Sequence, residues 1–181
     1  AGNNFYGYEN TIPVTLNEMI SSTRAVVNSS SRAFVVADFP FGTYESSPEQ
    51  ALETGVRFFK EAKPQAVKLE GGIKVIPQIK KLIAAGIPVM GHLGLTPQSV
   101  NALGGFKVQG RGESGSAIIE DAKALEAAGV FALVLELVPE ELARTITAQL
   151  KIPVIGIGAG KFCDAQVLVW TDLVGLTKEP P

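Results

Sequence analysis

Five side chains able to do acid–base or metal chemistry stand at the ends of short apolar runs in this sequence. Asp38 closes AFVVAD (33–38), Lys68 and Glu70 close AVKLE (66–70), His92 closes IPVMGH (87–92) and Glu136 closes FALVLE (131–136). Strand residues two apart project to the same side, so Lys68 and Glu70 face one way together. If the runs are strands of a (βα) barrel, their carboxyl ends meet at one face, where barrel enzymes carry their active sites. Glu136 follows Phe131, Ala132, Leu133, Val134 and Leu135. Apolar surroundings of that kind raise a carboxylate's pKa toward that of a working base, which makes Glu136 the candidate general base. Plainer readings exist for the others taken singly. Asp38 could cap the loop after its strand, Lys68 and Glu70 could form an ordinary ion pair, and His92 could be a hydrogen-bonded structural histidine. The convergence of the set carries the catalytic reading.

The elements that must position these groups are legible as a repeat of β-branched run, Gly/Pro loop and amphipathic stretch. With IPVIGI (152–157) there are five strand candidates, and a sixth is possible near 167–170. Near-continuous Val, Ile and Leu in runs this short suggests strands buried on both faces, as in a parallel sheet. Several helix starts are readable. Ser47 before Pro48, with Gln50 closing a capping box, opens one helix, and Thr96-Pro97-Gln98-Ser99 opens another in the same way. Pro139-Glu140-Glu141 places acids at the positive end of a third. Residues 114–128 carry apolar side chains at helical spacing and stop at Gly129, and the segment 74–85 reads as helix with Pro77 in its first turn. Strands alternating with helices mean an α/β fold, either a barrel or a doubly wound open sheet. No composition break divides residues 1–181, so one domain is expected.

Composition narrows the function classes. Formal net charge is −2 with the two signs interspersed, which gives no support to a nucleic-acid or anionic-membrane partner. One cysteine, Cys163, precludes an intramolecular disulfide and fits a reducing compartment; one histidine precludes a multi-histidine zinc site. The apolar runs are too short to span a bilayer, and AGNNFYGYEN lacks the order of a signal peptide, so a cytoplasmic protein is expected. The run GIGAG (156–160) lacks the glycine spacing of a dinucleotide fingerprint, and reads better as tight-turn glycines on the barrel rim. GGFKVQGRG (104–112) reads as a mobile rim loop that gates a pocket or binds an anion.

Longer stretches carry a resemblance. ADFPFGTY (37–44), VKLEGG (67–72), GHLGLTPQSVNALGGFKVQGRG (91–112), LELVPEELA (135–143) and IPVIGIGAG (152–160) are similar to the ketopantoate hydroxymethyltransferase family, and the likeness runs through essentially the whole chain. The resemblance implies a (βα)8 TIM barrel of the phosphoenolpyruvate/pyruvate type. It implies transfer of a one-carbon unit from 5,10-methylenetetrahydrofolate to 3-methyl-2-oxobutanoate, giving 2-dehydropantoate for pantothenate synthesis through a Mg²⁺-stabilised enolate. It implies Mg²⁺ ligation by Asp38 and Glu70, substrate binding by Asp38, Lys68 and His92, Glu136 as the general base, and a homo-oligomer, typically a decamer. The chain departs from the family in lacking the strand ending in a Gly-Asp-Ser motif, which supplies a further metal-ligating aspartate and a substrate-binding serine. It also lacks the carboxy-terminal helices, so the barrel is expected to be incomplete. Ala165 and Ile73 stand where the family usually has glycine and an acidic residue. The competing readings are another Mg²⁺-dependent C–C bond lyase or mutase on the related barrel, and an inactive fragment.

Overall fold

The computed structural model describes residues 5–176. Among the described residues, helix α1 (Leu16–Ser29) leads to β1 (Val36–Asp38), α2 (Pro48–Glu61), β2 (Ala66–Glu70), α3 (Ile76–Ala84), β3 (Val89–Gly94) and the short α4 (Val100–Leu103). Then follow α5 (Ser114–Ala128), β4 (Ala132–Glu136), α6 (Glu140–Gln149), β5 (Val154–Ile157), the two-residue β6 (Ala165–Gln166) and the turn α7 (Trp170–Leu173). The strands form one sheet in chain order, and every neighbouring pair is parallel. Right-handed crossovers in a sheet whose order never reverses put all the helices on one face, whereas a doubly wound sheet reverses and covers both. Here α1 packs on α2, α2 on α3, α3 on α5 and α5 on α6, a continuous outer layer. The fold is therefore an incomplete (βα) barrel, with β1 and β6 at its edges.

The core lies between the sheet and that layer. Val67, Leu69, Val89, Leu93, Leu133, Leu135 and Val154 point outward into it, against Phe58 of α2, Ile79 and Leu82 of α3, Leu125 of α5 and Ile146 of α6. Gly55 lets α2 approach α3 closely, since a Cβ there would lie 2.7 Å from Leu82 Cδ2. The pleat sends the alternate residues to the barrel lumen. Lumen-facing positions align across the sheet through the pairs Asp38–Lys68, Glu70–His92 and Gly94–Glu136.

Several sequence expectations are refined. The strand expected near 167–170 is not formed; the sixth strand is Ala165–Gln166, and residues 170–173 turn helically. Strand β3 runs two residues past His92, because Leu93 is still a core residue and Gly94 still pairs with Glu136. Ser47 Oγ accepts the Gln50 N–H as expected, but the Gln50 side chain returns to Ser46 rather than Ser47. Thr96 makes no side-chain cap, and Pro97–Ser99 form a 3-10 turn before α4. Helix α5 spans 114–128 and ends at left-handed Gly129 (φ 99°), and Pro77 lies in the first turn of α3, both as expected. Helix α1 was not anticipated, although its signature is present. Thr15 and Glu18 form a reciprocal capping box, with Tyr8 bonding the same glutamate.

Candidate functional site

The carboxyl ends of β1 to β4 bring Asp38, Lys68, Glu70, His92 and Glu136 into one cluster on the lumen side. Lys68 lies at its centre, with Nζ 2.8 Å from Asp38 Oδ1 and 3.1 Å from His92 Nδ1. On the far side of the imidazole, His92 Nε2 is 3.2 Å from Glu136 Oε2. Glu70 Oε1 is 3.8 Å from His92 Nδ1, and its other oxygen accepts the backbone N–H of Gln98 at 2.9 Å. The structure thus joins all five residues that the sequence singled out.

The charge state of the cluster follows from burial and proximity. Burial pulls the Lys68 ammonium down, but the carboxylates of Asp38, Glu70 and Glu136 outweigh it and leave the pKa raised. Lys68 is therefore charged. Burial, reinforced by Lys68, holds His92 well below the usual imidazole value, so its ring is neutral at physiological pH. An ammonium has donors only, so His92 Nδ1 must accept and the ring proton sits on Nε2, facing Glu136. That contact is short but poorly aligned, as Nε2 makes no full hydrogen bond. Burial pushes Glu136 up to about 7, with Lys68 opposing. Glu70 is likewise pushed up to about 7 by burial; Lys68 and the Gln98 N–H oppose this, and Asp38 and Glu136 add to it. Glu136 is thus a carboxylate poised to exchange a proton near neutrality, as a general base requires.

A buried network that the sequence did not reveal braces the carboxylates. The Tyr44 hydroxyl lies 2.9 Å from Gln98 Oε1 and 3.2 Å from the Glu70 carbonyl, while Gln98 Nε2 donates to the Phe39 carbonyl. Gln98 thereby fixes the backbone after Asp38 and the side chain of Glu70 together. Residues 54 positions apart carry no local signal that they meet. A small cavity of about 50 Å³ opens beside Asp38, lined by Thr11, Val14, Met19, Phe39, Pro40 and Gln98.

Among the described residues no three His, Cys, Asp or Glu side chains are grouped to cage a metal. Two carboxylates nevertheless suit a hard cation that keeps water and substrate oxygens in its remaining positions, as Mg²⁺ does. Asp38 Oδ1 is ion-paired with Lys68 at 2.8 Å, which leaves Oδ2, and Glu70 has one oxygen anchored by Gln98 and one left for a ligand. The donor set fits Mg²⁺.

The glycine run 156–160 opens no helix, unlike a dinucleotide site. Its glycines allow close packing instead. A Cβ at Gly158 would lie 2.7 Å from Leu137 Cδ2, and one at Gly160 would strike Glu140.

The fold is that of an incomplete (βα) barrel with a charged cluster at the carboxyl ends of its strands. Solved structures of similar fold include an oxaloacetate acetylhydrolase bound to 3,3-difluorooxalacetate (TM-score 0.61, 15% identity, 85% of this chain and 55% of that one). They include also a phosphonopyruvate hydrolase bound to oxalate and Mg²⁺ (TM-score 0.62, 14% identity, 86% and 56%). At that identity the likeness is one of fold. The chain belongs to the ketopantoate hydroxymethyltransferase family, whose model matches residues 1–181. Curated relatives named 3-methyl-2-oxobutanoate hydroxymethyltransferase include those of Frankia alni (59% identity over 98% of this chain) and Rhodococcus jostii (58% over 98%). A third, from Thermobifida fusca, is 60% identical over 95% of this chain. The chain spans only 58%, 61% and 62% of these three proteins' own lengths. No helix among the described residues is long and apolar enough to cross a membrane.

Proposed function

We propose that the protein carrying this chain transfers a hydroxymethyl group from 5,10-methylenetetrahydrofolate to 3-methyl-2-oxobutanoate, with Asp38, Lys68, Glu70, His92 and Glu136 as its chemical centre. The observation that carries this reading is the placement of a charged lysine and a carboxylate of pKa about 7 on opposite sides of one neutral imidazole. A 2-oxo acid needs a fixed cation for its carboxylate and a base for its C3 proton, and this cluster holds both.

Lys68 Nζ offers the cation. Its partners Asp38 and His92 hold it in place and leave donor capacity for the substrate carboxylate. Asp38 and Glu70 would hold Mg²⁺, which when bound polarises the keto oxygen and so acidifies the neighbouring C–H. Glu136 accepts the C3 proton on its carboxylate, with Lys68 favouring its charged form and the His92 ring beside Oε2. The resulting carbon nucleophile bonds to the methylene carbon of the folate; that carbon's two C–N bonds break, water supplies its hydroxyl oxygen, and tetrahydrofolate leaves with both nitrogens protonated. Burial of the cluster strengthens each of these charge interactions relative to water. A homo-oligomer belongs to the same reading, and light scattering on the full-length protein checks it.

The test is to incubate full-length protein with Mg²⁺ and 3-methyl-2-oxobutanoate in D₂O and follow the C3 proton by NMR. Exchange is expected without folate, and product only with it. Exchange that never leads to folate-dependent product points instead to a lyase or mutase on the same barrel. Absence of exchange in a folded protein rules out the proposed chemistry.

A further inference from the structure

Glu136 ends β4, and the next residue adopts a conformation that an L-leucine rarely takes. Leu137 has φ 45°, in the left-handed region, and is one of two described non-glycine residues there, the other being Lys63 in a surface turn. Such a conformation disfavours side chains other than those of Asn and Asp, and is adopted freely only by Gly, which has none. It persists only where the surroundings over-determine it, and residues of this kind cluster at functional sites.

Three neighbouring segments do the determining. The Glu136 carbonyl accepts the Leu95 N–H at 2.8 Å from the end of β3. The Leu137 N–H donates to the Ile157 carbonyl at 2.9 Å at the end of β5. The Leu137 carbonyl accepts the Gln109 N–H at 2.8 Å from the glycine-rich loop 104–112. Both peptide groups flanking Leu137 are therefore tied. Space for this arrangement comes from glycines. A Cβ at Gly94 would lie 2.1 Å from the Glu136 carbonyl oxygen, and one at Gly158 would meet the Leu137 side chain. The left-handed turn lets Glu136 point into the lumen as the last strand residue while Val138, two residues on, is already back in the core.

We infer that Leu137 is the positioning residue for Glu136: its left-handed backbone, clasped by Leu95, Gln109 and Ile157, fixes the carboxylate against His92 and the reacting carbon. The inference rests on the proposed role of Glu136 as base. It also gives the loop 104–112 a task, since Gln109 couples that loop to the residue after the base.

The test separates backbone conformation from side-chain packing. In the full-length protein, Leu137→Val keeps an apolar side chain but is β-branched and hostile to positive φ, whereas Leu137→Asn loses the apolar contact and tolerates it. C3 proton exchange is measured under saturating 2-oxo acid, with KM determined alongside. Leu137→Val is expected to lose about 100-fold in exchange rate with KM little changed, as a misplaced catalytic group does. Leu137→Asn is expected to stay closer to wild type than Leu137→Val. If Leu137→Val does not fold, Leu137→Ala carries a milder form of the same backbone strain and is expected to fall between wild type and that loss. Valine or alanine variants that match wild type, or outperform the asparagine variant, overturn the inference. A wild-type protein that exchanges nothing overturns the role of Glu136 itself, a distinct failure.

Discussion

Leu69 and Glu70 are neighbours on β2 and live in opposite surroundings. Leu69 is fully enclosed by the apolar core, while Glu70 is buried among Lys68, His92 and the Gln98 N–H. Strand β4 repeats the contrast with Leu135 and Glu136, and β3 with Leu93 and His92. Helix-facing positions need an apolar side chain of the right volume, and their burial stabilises the fold. Lumen-facing positions hold charges whose desolvation is offset mainly by one another. One face of β2, β3 and β4 thus supports the fold while the other, a residue away, is held in an electrostatically costly state that suits chemistry.

The contrast is sharpest at Glu136. Glu136→Gln is expected to slow C3 proton exchange about 1,000-fold. The midpoint of thermal unfolding should stay level or rise, because a neutral amide relieves the burial penalty on a charge. Next comes the opposite face, where Leu135→Ala should cost about 2–5 kcal/mol in denaturant unfolding by leaving a core cavity. Its exchange rate per folded molecule is expected to hold, and a loss there matching that of Glu136→Gln would erase the distinction between the faces. Tyr44 bridges the two, being a core ring whose hydroxyl reaches the Glu70 carbonyl and Gln98. Tyr44→Phe should therefore affect both faces modestly. About 1–3 kcal/mol of stability is lost to unpaired buried groups, and Mg²⁺ binding measured by calorimetry weakens about 10-fold.

A further effect is one of pH. Glu136 has a folded pKa of about 7 against an ordinary 4.5, so the folded protein keeps a proton that the unfolded chain releases between those values. Its contribution to stability is then fully present below pH about 4.5 and is lost as pH rises through about 7. Proton abstraction runs the other way, rising with pH up to about 7 and levelling above it. Metal-free protein should therefore show activity-competent charge and stability moving in opposite directions across this window, checked by chemical denaturation at several pH values. Glu136→Gln should flatten its share of the slope.

Much of this contrast was legible in the sequence, because charges placed at the ends of apolar runs survive as strand-end residues once the strands are parallel. Asp38, Lys68, Glu70, His92 and Glu136 were all identifiable that way. AVKLE shows the alternation, with Lys68 and Glu70 two apart, but FALVLE reads as apolar on both faces until the lumen is known to be charged. Helix α1 was legible too, since Thr15 and Glu18 form its capping box and Leu16, Met19, Ile20 and Thr23 recur at helical spacing. The brace of Tyr44, Gln98 and Phe39 depends on the loop after β1 meeting the turn after β3. The left-handed Leu137 is set by partners in β3, β5 and the loop 104–112. Neither leaves a trace at its own position in the chain.

The most direct measurement compares two adjacent residues on β2. Full-length wild type, Lys68→Met and Leu69→Ala are titrated calorimetrically with 3-methyl-2-oxobutanoate in the presence of Mg²⁺, and each is melted. Lys68→Met is expected to bind the 2-oxo acid at least about 30-fold more weakly, as truncation of a buried charge partner does, while remaining folded. Leu69→Ala is expected to bind like wild type and melt at a lower temperature. A Lys68→Met protein that binds the acid as tightly as wild type would contradict the assignment of the lumen face as the site of chemistry.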